Sequence, residues 1–186
     1  KVKFELPNEL EDYVNNDKIT LDYSLKSLFL INAMLKNGSK RCIVYLNTIE
    51  ECEKFNKTFR KICEKYHALS CWTSSITADT PSKKRKTILN EFSSKLNKRF
   101  YILSNVRILN EAIDIPKCDS VFITSCGKNE ITAVQRLCRA NRKDRDNKNK
   151  IANCYIWAND CNKVVNMLHY LKQLDTIKFY DKIHYI

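Results

Sequence analysis

Glycine is almost missing from this chain: two residues in 186, Gly38 and Gly127, where an average usage of about 7% would give roughly 13. A phosphate-cradling loop of the form G-x-x-x-x-G-K-[ST] needs two closely spaced glycines, so none exists here. An Asp-Glu pair closing an apolar strand, which would hold magnesium beside such a loop, is missing too. The chain therefore cannot by itself assemble a complete nucleotide-hydrolysing site of the P-loop kind.

Other absences narrow the class further. No apolar run approaches the roughly 18 residues of a membrane span. The longest, Leu28-Phe29-Leu30-Ile31, is broken by Asn32 and followed by Lys36. No signal-peptide pattern opens the chain. It starts Lys1-Val2-Lys3-Phe4 without a methionine, as an excised piece of a longer protein would. No C-x-x-C pair occurs among the nine cysteines (Cys42, Cys52, Cys63, Cys71, Cys118, Cys126, Cys138, Cys154 and Cys161). His67, His169 and His184 lie far in sequence from any cysteine cluster, so a metal site has no support. An odd number of cysteines without a secretory signal points to a reducing compartment, cytoplasm or nucleus.

What is present is a basic chain with material for a core. Hydrophobic residues make up 44% and the formal net charge is +12. That excess suits a polyanionic partner, most often nucleic acid, or else a solvated lysine-rich surface. Abundant Asn, Lys and Ile fit an AT-rich coding genome, such as that of a large DNA virus or a protist.

Periodicity predicts an alternating α/β chain. A strand-like piece at 2–6 precedes a helix from Leu21 to Asn37, with Leu21, Leu25, Leu28, Phe29, Ala33 and Leu35 at helical spacing and Gly38-Ser39 as its C-cap. Residues 41–46 read as a buried strand. Asn47-Thr48 would cap a helix from Glu50 to Lys65 that buries Cys52, Phe55, Phe59 and Ile62 or Cys63. A short strand follows at 68–72. Thr80 as N-cap and Pro81 at the first helical position would start a helix running to about Ser94. Strands are expected at 100–103, 120–124 and 151–157, and helices at 130–138 and 161–174. Short links between them imply a three-layer fold with a mainly parallel sheet. Functional groups should then gather at the carboxyl ends of the strands. Residues 1–37 form a lead-in, 38–175 the domain and 176–186 a tail. Phe179, Tyr180 and Tyr185 would dock that tail.

One motif stands out. Gln135, Arg136, Arg139 and Arg142 follow the spacing Q-R-x-x-R-x-x-R, which composition alone would produce on the order of once in a few thousand such chains. Residues three apart on a helix are neighbours, so Arg136 and Arg139 project together, with Arg142 just beyond the helix end. A guanidinium donates two parallel hydrogen bonds to a phosphate, and an arginine at a transferring phosphoryl group contributes about 10³–10⁵ in rate. The alternative is a solvated basic helix end.

The segment 100–142 resembles motifs V and VI of superfamily 2 helicases, in order and at normal spacing. Motif V is similar to Ile102-Leu103-Ser104-Asn105-Val106-Arg107-Ile108-Leu109-Asn110-Glu111-Ala112-Ile113-Asp114-Ile115-Pro116, against a family pattern of a strand, Ser or Thr, then L-x-E-G-I-D-I-P. Upstream, residues 42–48 resemble motif IV. Arg85-Lys86-Thr87-Ile88-Leu89-Asn90-Glu91-Phe92 resembles an R-x-x-I-L-x-x-F helix. The likeness covers roughly residues 38–160 and implies the second RecA-like lobe of an ATP-dependent motor on nucleic acid, DNA before RNA.

The resemblance implies roles. Arg139 and Arg142 would reach the γ-phosphate of ATP, held with Mg2+ by a first lobe of the same polypeptide. Gln135 would line the inter-lobe cleft, and Arg136 would couple it to the nucleic-acid side. Asp114 would bind the ATP ribose. Thr48, Ser104, Asn105 and Arg107 would meet the nucleic-acid backbone. Thr48 is otherwise a plain N-cap, Ser104 a strand-end turn and Asp114 a surface turn. Two positions depart from the family, with Ala112 and Cys138 standing where glycines are usual; a side chain there disfavours positive φ and close approach. Outside the motifs, Lys83-Lys84-Arg85-Lys86 would touch phosphates or simply face solvent, and Trp72 would stack on a base or pack in the core.

Overall fold

The computed structural model describes residues 18–65, 68–94, 97–106, 115–125 and 146–158, with shorter pieces at Asn8, Gln135, Arg136, Arg139, Ala140, Arg142, Asp144, 164–166 and His169. Among the described residues, three long helices, α1 (Lys18–Asn37), α2 (Ile49–Lys65) and α3 (Ser82–Ser93), alternate with β1 (Arg41–Tyr45), β2 (Cys71–Ile76) and β3 (Phe100–Asn105). Strands β4 (Ser120–Ile123) and β5 (Asn153–Ile156) complete a five-stranded sheet in the order β2-β3-β1-β4-β5. Every pairing is parallel.

Side chains alternate across each strand, and both faces are covered. Cys42, Val44, Phe100, Ile102 and Phe122 point into one cluster, with Leu28, Ile31 and Met34 of α1 and Phe55, Phe59 and Ile62 of α2. Ile43, Tyr45, Tyr101, Leu103, Val121 and Ile123 point into the other, with Ile88 and Phe92 of α3 and with Ala140. This is the expected three-layer α/β arrangement.

Local chemistry explains the helix ends. Thr48 Oγ1 accepts the N–H of Glu51 (3.1 Å), while the Glu51 carboxylate accepts the N–H of Asn47 (2.8 Å). That reciprocal pair satisfies two donors at the start of α2. Buried Cys52, Phe55, Thr58, Phe59, Ile62 and Cys63 then form its inner face at helical spacing. Gly38 closes α1 with φ of +70°, a conformation that favours glycine. Arg41 reaches across to the end of α3, where Nε donates to Phe92 O (2.8 Å) and the guanidinium also meets Ser94 O.

Three expectations shift, and for Trp72 one of two alternatives is selected. The buried face of α1 is Tyr23, Ser24, Ser27, Leu28, Leu30, Ile31, Ala33 and Met34, whereas Leu21 and Leu35 are exposed. Two small serines at the centre of that face, facing the core without being apolar, turned the sequence pattern toward the wrong side. Strand β2 lies at Cys71–Ile76 rather than 68–72. Its Thr73, Ser74 and Ser75 are only half-buried, so the polar run gave no strand signal. Pro81, not Thr80, is the N-cap of α3 and makes no side-chain cap. Thr80 Oγ1 instead accepts the N–H of Thr77 (2.9 Å). Trp72 packs against Tyr101 and Phe92, with ring centroids 5.8 and 6.1 Å away, so it serves the core.

The strand expected at 2–6 and the tail after 175 lie outside the described residues, as does most of the helix expected at 130–138, of which Gln135 and Arg136 are helical. Among the described residues no helix is long and apolar enough to cross a membrane. Six cysteines (Cys42, Cys52, Cys63, Cys71, Cys118 and Cys154) are free thiols, all buried except the half-buried Cys154.

Gly38 gives a clean test of the backbone. A Cβ added there meets nothing within 4 Å, so only its φ of +70° opposes a side chain. Gly38→Ala is expected to lower unfolding stability by about 1 kcal/mol. Denaturant titration of both forms checks this.

Candidate nucleotide and nucleic-acid interface

The site is built on the central strand. Tyr45 ends β1 in register with Asn105 of β3 and Ile123 of β4. One residue on, Leu46 N–H donates to Asn105 O (3.0 Å), and Thr124 Oγ1 donates to Tyr45 O (2.7 Å). The loops then latch. Asn47 Nδ2 donates to Ser125 Oγ at 3.3 Å. The chain leaves β1 toward α2 on one face, while Ala140, downstream of β4, packs on the other. The crevice at such a switch point is where open α/β sheets take ligands.

The arginine motif lies over this end of the sheet. The Arg136 guanidinium stands 5.0 Å from the centre of the Tyr45 ring, a cation–π contact of about 0.5–2 kcal/mol. Burial pushes the Tyr45 phenol well above its ordinary range, while the nearby charges of Arg139 and Arg136 pull it the other way. Both arginines thus act at the carboxyl end of β1. Arg139 N–H donates to Arg136 O (3.2 Å), continuing the turn. Gln135 is exposed, and Arg136, Arg139 and Arg142 are half-buried. Arg142 offers its carbonyl to the Lys150 ammonium.

The residues expected on the nucleic-acid side are placed differently from one another. Thr48 is exposed beyond β1, with its hydroxyl engaged as the α2 cap. Ser104 is fully buried within β3, and its hydroxyl donates to Asn56 Oδ1 of α2 at 2.6 Å. It faces α2 rather than the strand end. Asn105 is also fully buried, its carbonyl taken by Leu46. Arg107, Asp114, Ala112 and Cys138 lie outside the described residues.

Sequence reasoning missed Tyr45, Asn56 and Lys150. Tyr45 read simply as one residue of a buried strand, and Asn56 as a polar position on an amphipathic helix. Only the contacts across the sheet reveal them. The arrangement can present guanidinium groups to a polyanion at the sheet end. No group of His, Cys, Asp and Glu among the described residues could hold a metal ion.

A five-stranded, all-parallel sheet covered on both faces, with arginines over the carboxyl end of its central strand, is a RecA-like lobe. The family profile described as "Helicase conserved C-terminal domain" matches residues 25–144. The chain belongs to that family.

Solved structures share the fold. The ATP-dependent Type ISP restriction-modification enzyme LlaBIII bound to DNA superposes with a TM-score of 0.62 at 22% identity, over 92% of this chain and 14% of that one. Helicase Lhr of Mycobacterium smegmatis, bound to ssDNA and AMP-PNP, gives 0.57 at 13% identity over 80% of this chain and 19% of that one. Domain 2 of the DEAD-box helicase Mss116p, bound to an RNA duplex, gives 0.55 at 10% identity over 86% and 57%. The chain thus spans a minor share of the first two. No curated protein matches it in sequence. None of these likenesses supports a viral source.

Tyr45 separates packing from polarity. Its hydroxyl is buried with no hydrogen-bond partner among the described residues, so Tyr45→Phe is expected to change stability by less than about 1 kcal/mol. Tyr45→Ala removes a fully buried ring and the face beneath Arg136, at a cost of about 3–5 kcal/mol. Thermal unfolding of the two variants measures the difference.

Proposed function

We propose that this lobe is the second half of an ATP-driven nucleic-acid motor and supplies arginines to ATP bound by a first lobe. The observation that carries the reading is the Arg136 guanidinium over Tyr45, at the carboxyl end of the central strand, with Arg139 continuing the same turn. A cleft closing there would bring Arg139 and Arg142 to the γ-phosphate, with Gln135 at its rim and Asp114 on the ribose. Fixed guanidinium groups stabilise the charge that spreads over a transferring phosphoryl group. Magnesium would be held by the other lobe, beside the ATP phosphates.

Thr48 and Arg107 would meet phosphates of the nucleic-acid strand, and Ser104 and Asn105 would hold the β3 end that carries the main chain toward it. Contacts of this kind fix position without reading sequence. The net charge of +12 suits such a partner, DNA before RNA in this reading; the structural relatives include proteins bound to DNA and to RNA. Cytoplasm or nucleus is the compartment that free, mostly buried thiols suit.

A second reading has its own support. The likeness to an ATP-dependent restriction-modification enzyme bound to DNA favours a motor that moves along duplex without separating strands. Strand-separation and triplex-displacement assays on the protein carrying both lobes distinguish the two. Displacement without separation selects the second.

Two outcomes test the main reading. The 186-residue chain alone should bind single-stranded DNA weakly, with log affinity falling linearly in log salt concentration, and should hydrolyse no ATP. Substantial ATP hydrolysis by the chain alone would sink the half-site idea. In the protein with both lobes, Arg142→Ala should cut ATP turnover by about 10³-fold or more and leave nucleic-acid affinity within about threefold. Turnover near wild type would refute the arginine assignment.

A further inference from the structure

Beyond Arg142 the chain returns to β5 through a segment that sequence shows only as a charged loop. Lys150 closes it. Its ammonium donates to Pro116 O (2.8 Å), to Cys118 O (3.0 Å) and to Arg142 O. An ammonium carries three hydrogens, so three carbonyls use its donors fully. A half-buried cation is costly unless its donors are met, and this one donates to three main-chain carbonyls.

The three acceptors belong to two different segments. Pro116 ends the stretch at 102–116 and Cys118 follows it closely. Arg142 is the last arginine of the Q-R-x-x-R-x-x-R motif. A second tie runs beside the first: Lys117 Nζ lies 3.4 Å from Asp144 Oδ1 and also pairs with the Asp146 carboxylate. Asp144 in turn accepts the N–H of Asp146 on its side chain (3.0 Å) and that of Asn147 on its carbonyl (3.3 Å), which folds the return loop tightly. Ile115 and Ala140 are buried in the same apolar cluster beneath these ties. The main chain at Arg142 is therefore fastened to the turn at 115–118 by polar bonds above and packing below.

We propose that Lys150 is a positioning residue that couples the two motifs, holding the main chain at Arg142 to the end of the 102–116 segment. It touches neither ATP nor nucleic acid. A shift of the 102–116 segment when nucleic acid binds is carried through Pro116 and Cys118 to Lys150, and from there to Arg142. The inference rests on the reading of Arg142 given above. The carbonyls of Pro116 and Cys118 fix where the ammonium sits, and its bond to the Arg142 carbonyl then sets how far Arg142 lies from that turn. Displacement of a catalytic group by about 1 Å is enough to cost on the order of 10²-fold in rate.

The test uses the protein with both lobes and measures ATP turnover with and without single-stranded DNA. Lys150→Met keeps the apolar stem and removes the donors. Its DNA-stimulated kcat should fall on the order of 10²-fold, with KM for ATP within about threefold and the ratio of stimulated to unstimulated turnover reduced. A purely structural role would lower both rates alike and keep that ratio, and that result overturns the proposal. Lys150→Arg keeps charge and donors, but its flat fork does not match three diverging carbonyls, so an intermediate loss is expected; full activity would overturn the three-point account. In an Arg142→Ala background, Lys150→Met should cause no further loss, because it acts through Arg142. Losses that multiply would overturn the proposal. If Arg142→Ala abolishes turnover while Lys150→Met leaves it within about twofold, only the coupling fails. If Arg142→Ala itself leaves turnover near wild type, the arginine reading fails and the coupling falls with it.

Discussion

Parallel pairing of β1 with β3 on one edge and β4 on the other brings Tyr45, Asn105 and Ile123 to one level. Strand β1 thus has backbone partners on both sides and side-chain layers on both faces. The main chain of such a strand has little freedom, because each buried N–H and C=O must be paired. The pairing continues one residue past the strand, where Leu46 binds Asn105 and Thr124 binds Tyr45. The loops leave from a fixed platform, and the arginine motif has something rigid to rest on. The Tyr45 ring makes that platform cationic-friendly on the face where Arg136 lies.

Much of this was legible in the sequence, for reasons that differ from element to element. Helix α2 could be read because Cys52, Phe55, Phe59 and Ile62 bury one face and Thr48 caps it. The strands at Arg41–Tyr45, Phe100–Asn105 and Ser120–Ile123 could be read because a strand covered on both faces is a continuous apolar run. Strand β2 was misplaced because it stands at the end of the sheet of described residues, half-covered, and is filled by Thr73, Ser74 and Ser75. The face of α1 was turned because Ser24 and Ser27 are buried without being apolar.

The site was legible only where its chemistry was local. Four residues at fixed spacing announce the arginine motif. Nothing local announces that Ser104 faces Asn56, or that Arg136 lies over Tyr45, since these partners are 48 and 91 positions apart in sequence. Lys150 is the clearest case. Along the chain it is one lysine in a basic loop; in space it joins segments 34 and 8 residues away.

Cys42 and Cys118 are wholly buried, and loss of water pushes the Cys42 thiol well up and that of Cys118 up to about 12. Cys52 is likewise raised to about 12. A thiol must ionise before it attacks or is oxidised, so at neutral pH these sulfurs behave like methyl-sized pieces of hydrocarbon. At these three positions, what looks like a redox liability in the composition is a supply of small core volume. Oxidation at Cys42, Cys52 and Cys118 would therefore fall on the unfolded or newly made chain and pass over the native one.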